Sequence, residues 1–199
     1  MYSLDVLSCL IGKTNPDILC TEFSDEQLED ESACDEKPEY PLAIIPYARK
    51  HGIPMVSLQQ KLDSWREYER KVQNEIERIK KDPALSRKWE FWKELRESMG
   101  EIYSRNLFDF LCQAYDTWTE IIHGRFYSRL FPELGRMLDD WNQQYCDIVE
   151  KTVKDNPESR ITVTVGSKHK YWINNRLRVM EDVSFQHIQE YLPLTEVEV

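Results

Sequence analysis

Two side chains that can do acid–base or metal chemistry each follow a short apolar run in this chain. Glu22 ends the run that begins at Ile18, and His169 follows another run after the three residues Gly-Ser-Lys. A carboxylate and an imidazole that lie together can bind a divalent metal ion or act as a general acid and base. Two side chains do not complete a metal site, because such a site needs a third or fourth ligand.

Three apolar runs predict the strands that would position these side chains. Residues 18–23 and 54–58 are short apolar segments, and residues 160–165 alternate β-branched side chains. Helical segments separate the runs, and this order predicts a mostly parallel sheet covered by helices. Ligands of such sheets bind beyond the carboxyl ends of the strands. We therefore expect Glu22, Gln59 and His169 to face a common crevice. Residues 183–185 could form a last strand.

The middle of the chain has a purely helical pattern. Between Leu62 and Ile79 apolar residues recur at steps of three and four, which predicts a long amphipathic helix that ends at Asp82-Pro83. Similar stripes continue through residues 107–122 and 132–153. We predict an α/β fold in which helices flank a small, mostly parallel sheet, with a large all-helical insertion. The chain 1–199 is predicted to be a single domain, with α/β parts at 1–59 and 156–199 and the insertion at about 60–155.

Composition excludes some classes of function. The chain has 199 residues with 36 acids and 26 bases, and its net charge of −10 argues against binding to nucleic acid. No run approaches the roughly 18 apolar residues of a membrane span, and the N-terminus lacks the basic region of a secretory signal. The five cysteines are scattered and odd in number. They predict reduced thiols in a cytoplasmic protein rather than a disulfide framework or a zinc knuckle.

Each candidate site residue also has a purely structural explanation. Glu22 could cap a turn or pair with an arginine, and His169 could cap its helix. The acidic stretch from Glu22 to Glu39 is expected to be a solvated loop that could attract cations to Glu22. The other histidines are expected at helix ends or on the surface: His51, His123 and His187.

Three segments, in order, carry a family resemblance. Residues 15–22 (NPDILCTE) place proline and aspartate before an apolar strand that ends in glutamate. In residues 39–56 a glutamate opens a helix, and Gly-Ile-Pro-Met-Val enters the next strand. Residues 163–169 (VTVGSKH) end a strand in Gly-x-x-His. Together they resemble the TraB/PrgY-like superfamily, which includes the Tiki metalloproteases and, more distantly, ChaN-like and erythromycin-esterase-like proteins.

The resemblance covers about residues 1–58 and 140–192 and implies a set of site residues. Glu22, Glu39 and His169 correspond to candidate catalytic residues, and Glu22 and His169 to metal ligands. Since metal-dependent relatives use Gly-x-x-His motifs and glutamate for hydrolysis, the resemblance implies a divalent metal such as Mn, Co or Zn.

Two features depart from the family pattern. The family's first strand, which ends in another Gly-x-x-His, would precede residue 1, and an arginine usually stands where this chain has Trp141-Asn142. The first strand would lie beside the strands at 18–23 and 161–166. Because buried backbone groups need partners, we expect either that these two strands pair directly or that a second chain supplies the edge.

Two functions remain open. The convergence of Glu22 and His169 favours a metal-dependent hydrolase. The missing motif and Trp141 favour a non-catalytic binding or regulatory protein on a truncated or decayed hydrolase scaffold. A small molecule or peptide is the expected partner, with a homodimer or partner chain at an open sheet edge as an alternative; neither nucleic acid nor membrane is expected. A coiled coil led by residues 62–81 is disfavoured, because this stripe spans fewer than three heptads.

Overall fold

A small parallel sheet lies among helices. The computed structural model describes residues 4–29, 39–59, 62–103, 109 and 111–191. Within these residues, β1 (Ile18–Thr21), β2 (Met55–Ser57) and β3 (Ile161–Thr164) form one sheet in the order β2-β1-β3, with both pairs parallel. Every residue of the central strand β1 is buried, as its continuous apolar run requires. The predicted α/β fold class, with its small parallel sheet, is confirmed.

The strands β1 and β3 pair directly with each other. Their register runs from Ile18 opposite Ile161 to Thr21 opposite Thr164. Past the end of β1, the backbone N–H of Glu22 donates to the carbonyl of Thr164 at 3.2 Å. The direct pairing of these two strands, one of the two outcomes expected from the sequence, is confirmed.

The N-terminal helices pack on the sheet around an apolar core. They are α1 (Leu4–Thr14), α2 (Asp25–Glu29) and α3 (Ile45–His51), and a π-helical turn at Tyr40–Ile44 leads into α3. This core includes Ile11, Leu19 and Ile44. α3 ends at His51-Gly52, because Gly52 adopts a left-handed φ of 64° and its N–H donates back to the carbonyls of Arg49 and Ala48.

Between β2 and β3, the described residues form helices and turns only. The helices are α4 (Leu62–Lys81), α5 (Pro83–Tyr103), α6 (Gln113–Thr119), α7 (Tyr127–Leu130) and α8 (Pro132–Asp155). Asp82 separates α4 from α5 by accepting hydrogen bonds from the N–H groups of Ala84 and Leu85 at 2.8 and 3.1 Å. Part of the helix predicted at 107–122 falls on residues 107, 108 and 110, which lie outside the described residues.

A π-helical segment, Glu120–Phe126, joins α6 to α7. Its widened turn is visible where the N–H of Tyr127 donates to the carbonyl of Ile122, five residues earlier. The segment delivers Tyr127 to an aromatic core, where its ring centre lies 4.8 Å from that of Trp92 and 5.6 Å from that of Phe131.

The C-terminal part differs from its prediction in one place. Helix α9 spans Ser167–Leu177 and follows its N-cap residue Gly166. Residues 183–185 form no strand. Phe185 instead packs under the guanidinium of Arg178, 5.2 Å from its ring centre, and a single turn of 3₁₀ helix follows at Ile188–Tyr191. None of the described helices combines the length and the apolar composition needed to cross a bilayer.

Candidate functional site

The carboxyl end of the sheet brings Glu22 and His169 into contact. Glu22 directly follows β1, and His169 lies in the first turn of α9, which starts after β3. Glu22 Oε1 is 3.3 Å from His169 Nε2. Because β1 and β3 are parallel neighbours, their carboxyl ends lie side by side, and residues far apart in the chain become neighbours there.

The second carboxylate oxygen of Glu22 binds the start of α9. Gly166, the N-cap residue of this helix, donates its N–H to Glu22 Oε2 at 2.6 Å. A negative charge at this position is favoured by the dipole of the helix. A Cβ at position 166 would lie 3.3 Å from Glu22 Oε2, so the contact depends on a residue without a side chain. Glu22 therefore caps the start of α9, which is a different contact from the turn cap or the arginine pair considered from the sequence.

The second ring nitrogen of His169 faces helix α8. His169 Nδ1 lies 2.6 Å from Asn142 Oδ1. With this oxygen as acceptor, Nδ1 carries a proton; with the amide turned over, the NH₂ group donates to Nδ1 and the neutral ring carries its proton on Nε2. In the second arrangement the N–H on Nε2 points toward Glu22. In the first, Nε2 carries a proton only when the whole ring is a cation.

Two tyrosines lie close to the carboxylate. Burial is the main cause that raises the pKa values of Tyr40 and Tyr145, and the negative charge of Glu22 raises both further. The Tyr40 hydroxyl donates to the carbonyl of Thr164 at 2.9 Å, and the ring centre of Tyr145 is 4.9 Å from that of His169. Both hydroxyls therefore remain protonated at neutral pH.

This polar cluster is closed to solvent. The exposed fractions are 3% for Glu22, 1% for His169 and 0% for Asn142. Two surface cavities, of about 320 and 480 Å³, are lined by other residues. A buried carboxylate is unfavourable by several kcal/mol unless it is paired, so the contacts with His169 and Gly166 are needed to hold Glu22 here.

Among the described residues, several buried polar atoms near the site have no hydrogen-bond partner. They include Thr21 Oγ1 at the end of β1, Gln59 Nε2 after β2, and Asn142 Nδ2 and the Tyr145 hydroxyl on α8. Two of these four atoms are amide N–H donors, which cannot coordinate a cation. These groups are therefore better suited to bind a hydrogen-bond acceptor or a water molecule than a metal ion.

The described side chains do not by themselves fit the metal centre that the resemblance implies. Glu22 and His169 supply two ligands, whereas a catalytic zinc site takes three from the protein. A group of three or more histidine, cysteine, aspartate or glutamate side chains suited to a metal does not occur in the described part of the chain. Nε2 of His169 also lies 3.3 Å from Glu22 Oε1 in an interior that is closed to solvent.

The other predicted site residues have different places. Glu39 immediately precedes the π-helical turn and, within the described chain, forms no hydrogen bond or ion pair with Glu22 or His169. Its neighbour Tyr40 reaches the site instead. Gln59 lies at the expected end of the sheet, where its backbone N–H donates to the carbonyl of Phe23 at 3.3 Å. Burial raises the pKa of Cys20 to about 12, so this thiol is not a nucleophile.

Two histidines expected at the surface are partly buried. His187 Nε2 lies 3.1 Å from Asp116 Oδ2, and its side chain is 13% exposed. His123 packs edge-on against Trp92, with ring centres 5.6 Å apart. Both lie in segments that are buried by tertiary packing. The local sequence pattern does not reveal this packing, so the prediction placed them at the surface.

Sequence reasoning missed Asn142, Tyr40 and Tyr145 as members of the site. Asn142 did carry a signal, because it is a polar residue on the apolar face of a long helix, three residues before Tyr145 and seven before Val149. A polar residue on such a face needs a buried partner, and that partner is His169.

The chain matches no known protein family, no curated protein and no solved structure.

Proposed function

We propose that this chain is a non-catalytic binding or regulatory protein, built on an α/β scaffold with TraB/PrgY-like ancestry. The observation that carries the proposal is the enclosure of the Glu22–His169 contact. The two side chains are 3% and 1% exposed, and both ring nitrogens of His169 face side chains of the protein itself.

Enclosure matters because a catalytic group must reach its substrate. A general base has to come within hydrogen-bond distance of the proton that it removes. Nε2 of His169 instead faces Glu22, and Nδ1 faces Asn142. In this arrangement the imidazole serves as the counterpart of a buried carboxylate.

The cluster has a structural role that fits this proposal. It connects the end of β1 through Glu22, the start of α9 through His169 and the middle of α8 through Asn142. The three elements are thus a strand of the sheet and two helices that pack on each other. The cluster thereby holds the long helix α8 against the sheet, and a binding surface on α8 keeps a fixed position.

A metal-dependent hydrolase is the second candidate. The observation in its favour is that Glu22 and His169 converge at the carboxyl ends of parallel strands, where α/β proteins bind their ligands. For this candidate, Mn, Co or Zn would need a third ligand and a route to the pair.

Metal titration distinguishes the two candidates. We expect calorimetry with Mn²⁺, Co²⁺ and Zn²⁺ to give the same heats for the wild type and for His169→Gln, and we expect no hydrolysis of nitrophenyl esters or of fluorogenic peptides. Stoichiometric binding that disappears in both His169→Gln and Glu22→Gln would establish the hydrolase instead. His51→Gln, an exposed histidine on α3, controls for adventitious binding to imidazole.

The proposal includes a cytoplasmic location and a small molecule or peptide as partner. The cytoplasmic location is supported by the cysteines of the described residues, which are free thiols: Cys9, Cys20, Cys112 and Cys146. The proposed function is therefore that of a reduced, acidic protein that binds through its helical part.

A further inference from the structure

The outer edge of β3 carries backbone groups without a partner in the described part of the chain. The N–H of Glu22 donates to the carbonyl of Thr164, so the even-numbered residues of β3 face β1. Backbone groups point alternately to the two sides of a strand, and the odd-numbered residues therefore face outward: Ile161, Val163 and, just past the strand, Val165. Within the described chain, no hydrogen bond reaches these outward N–H and C=O groups.

This edge is accessible to solvent. Every residue of the central strand β1 is buried, whereas residues 161–165 are all partly exposed. On one face of β3 the odd-numbered side chains pack against the core around Val149, and on the other face Thr162 Oγ1 lies 2.8 Å from Thr14 Oγ1 of α1. The two faces of the strand are thus in contact with helices, while its outer edge stays open.

The sequence of β3 lacks the features with which proteins usually protect an open edge. Residues 161–165 read Ile-Thr-Val-Thr-Val, five β-branched side chains without a charge, a proline or a glycine. Edges of this composition pair readily with another strand. The strand at the opposite edge differs, because β2 has only three residues and follows Pro54. β3 is therefore the edge that favours a further strand.

The edge of β3 is complementary to itself. A two-fold axis through Val163 makes the β3 of a second copy run antiparallel, so that Ile161 of one copy faces Val165 of the other. Val163 then faces its own counterpart, and each outward N–H meets a C=O of the other copy. On the threonine face, Thr162 lies opposite Thr164 of the second copy, a favourable pair across antiparallel strands.

The charges at the two ends of β3 favour the antiparallel direction. Before its amino end lies the exposed Glu158, since Arg160 is already paired with Asp17, and Lys168 follows its carboxyl end in the first turn of α9. A two-fold axis through Val163 brings each glutamate near the lysine of the other copy, whereas parallel strands would place like charges together. The net charge of −10 on each chain opposes association, and this local complementarity offsets part of it.

We propose that β3 pairs antiparallel with the β3 of a second copy of this chain, so that two three-stranded sheets join into one continuous sheet. Assembly stops at two copies, because the remaining edges are the short β2 strands. Since one strand edge buries a modest area, we expect a weak dimer with a dissociation constant on the order of 10 µM. The inference goes beyond the proposed binding function and does not depend on the Glu22–His169 contact.

Sedimentation and hydrogen exchange of the full chain test the proposal. Between about 1 and about 300 µM we expect sedimentation to change from that of a monomer to that of a dimer. Amide exchange followed by NMR locates the contact. The outward amides of Val163 and Val165 should exchange at least about threefold more slowly at the high concentration, whereas that of Thr164, which faces β1, should be protected at both concentrations.

Val163→Pro removes an outward N–H and no hydrogen bond to β1, and proline is tolerated in edge strands at such positions. We expect this variant to keep its circular dichroism spectrum and to dimerise at least about tenfold more weakly than the wild type. Val163→Ile is the matched control, because it keeps the N–H and the β-branched side chain. Its dissociation constant should stay within about threefold of the wild-type value.

Glu158→Lys tests the antiparallel direction at an exposed position that does not threaten folding. Although it makes the chain less negative, it places two lysines together at each end of the paired strands, and we expect dimerisation to weaken about fivefold. Glu94→Lys, at an exposed position of α5, makes the same change in net charge away from β3 and should not weaken the dimer.

Three outcomes would overturn the proposal: a monomer at every concentration, exchange at Val163 and Val165 that does not depend on concentration, or equal effects of Glu158→Lys and Glu94→Lys. A folded Val163→Pro variant that dimerises like the wild type would overturn it as well. If that variant does not fold, exchange and the charge variants decide. Failure of the proposed function is a separate result, because it is decided by metal binding and hydrolysis in the His169→Gln and Glu22→Gln variants.

Discussion

Helix α9 contacts two carboxylates, Glu22 and Asp116, each of which also lies next to a histidine ring, in different surroundings. At its start, His169 meets Glu22 and Asn142. Farther along, Lys170 and Asn174 meet Asp116, which also contacts His187. The first contact is closed to solvent, whereas the Lys170 side chain of the second is 20% exposed.

The two contacts differ most in their counter-charge. Asp116 has a permanently charged partner, since Lys170 Nζ lies 2.8 Å from Asp116 Oδ1. Glu22 has the titratable imidazole of His169 and the backbone N–H of Gly166. A buried carboxylate can thus be held near water by a lysine, or in a dry interior by an imidazole and the backbone N–H of an N-cap residue. The second arrangement is more sensitive to the loss of any one of its groups.

Removal of each carboxylate charge tests this difference. Glu22→Gln keeps the shape but leaves a dry, polar cluster without its charge, and we expect a loss of about 3 kcal/mol in the free energy of unfolding. Asp116→Asn should cost about 1 kcal/mol, because Lys170 can turn to water. Urea denaturation at neutral pH gives both values. Equal losses would contradict the proposed contrast.

His123 is a third histidine in a different environment, because it lies near cations and aromatic rings. Burial, with a smaller effect from the positive charges of Arg96, Lys168 and His169, lowers its pKa to about 4. The unfolded chain keeps an ordinary histidine pKa and binds the proton more readily. The stability contributed by neutral His123 is therefore complete above about pH 6.5 and is lost as the pH falls toward 4.

The His123→Phe variant isolates this effect from other titrations. Since the ring is partly exposed, we expect the wild type to lose about 2 kcal/mol more than the variant between pH 7 and pH 4. Thermal unfolding across this range measures the difference. Parallel profiles for the two proteins would show that His123 does not contribute.

Gly166 tests how closely Glu22 is held. In Gly166→Ala the new Cβ would lie 3.3 Å from Glu22 Oε2, so the carboxylate must move slightly, at a cost of about 1 kcal/mol. Gly100→Ala is the matched control, because no atom lies within 4 Å of a Cβ there and alanine favours the helix. We expect opposite signs in the melting temperatures, with destabilisation at 166 and stabilisation at 100.

The convergence of Glu22 and His169 was predictable because it needs only strand order. Apolar runs identify the strands, their parallel order follows from the intervening helices, and carboxyl ends then coincide. Asn142 could not be placed in this way, since its contact with His169 depends on the rotation of α8 about its own axis. The partners of Asp116 and the loss of the expected strand at 183–185 likewise depend on tertiary packing between distant segments.

The π-helical segment Glu120–Phe126 has a consequence for how this chain tolerates changes in length. A widened turn holds one residue more than an α-helical turn, so deletion of one residue here can restore regular hydrogen bonding. The same deletion would turn the following helix by about 100° relative to α6 and swing Tyr127 out of its aromatic core. The extra residue thus sets the rotation of the following helix about its axis. We expect the fold to tolerate an insertion or deletion in this stretch only when a second length change nearby restores that rotation.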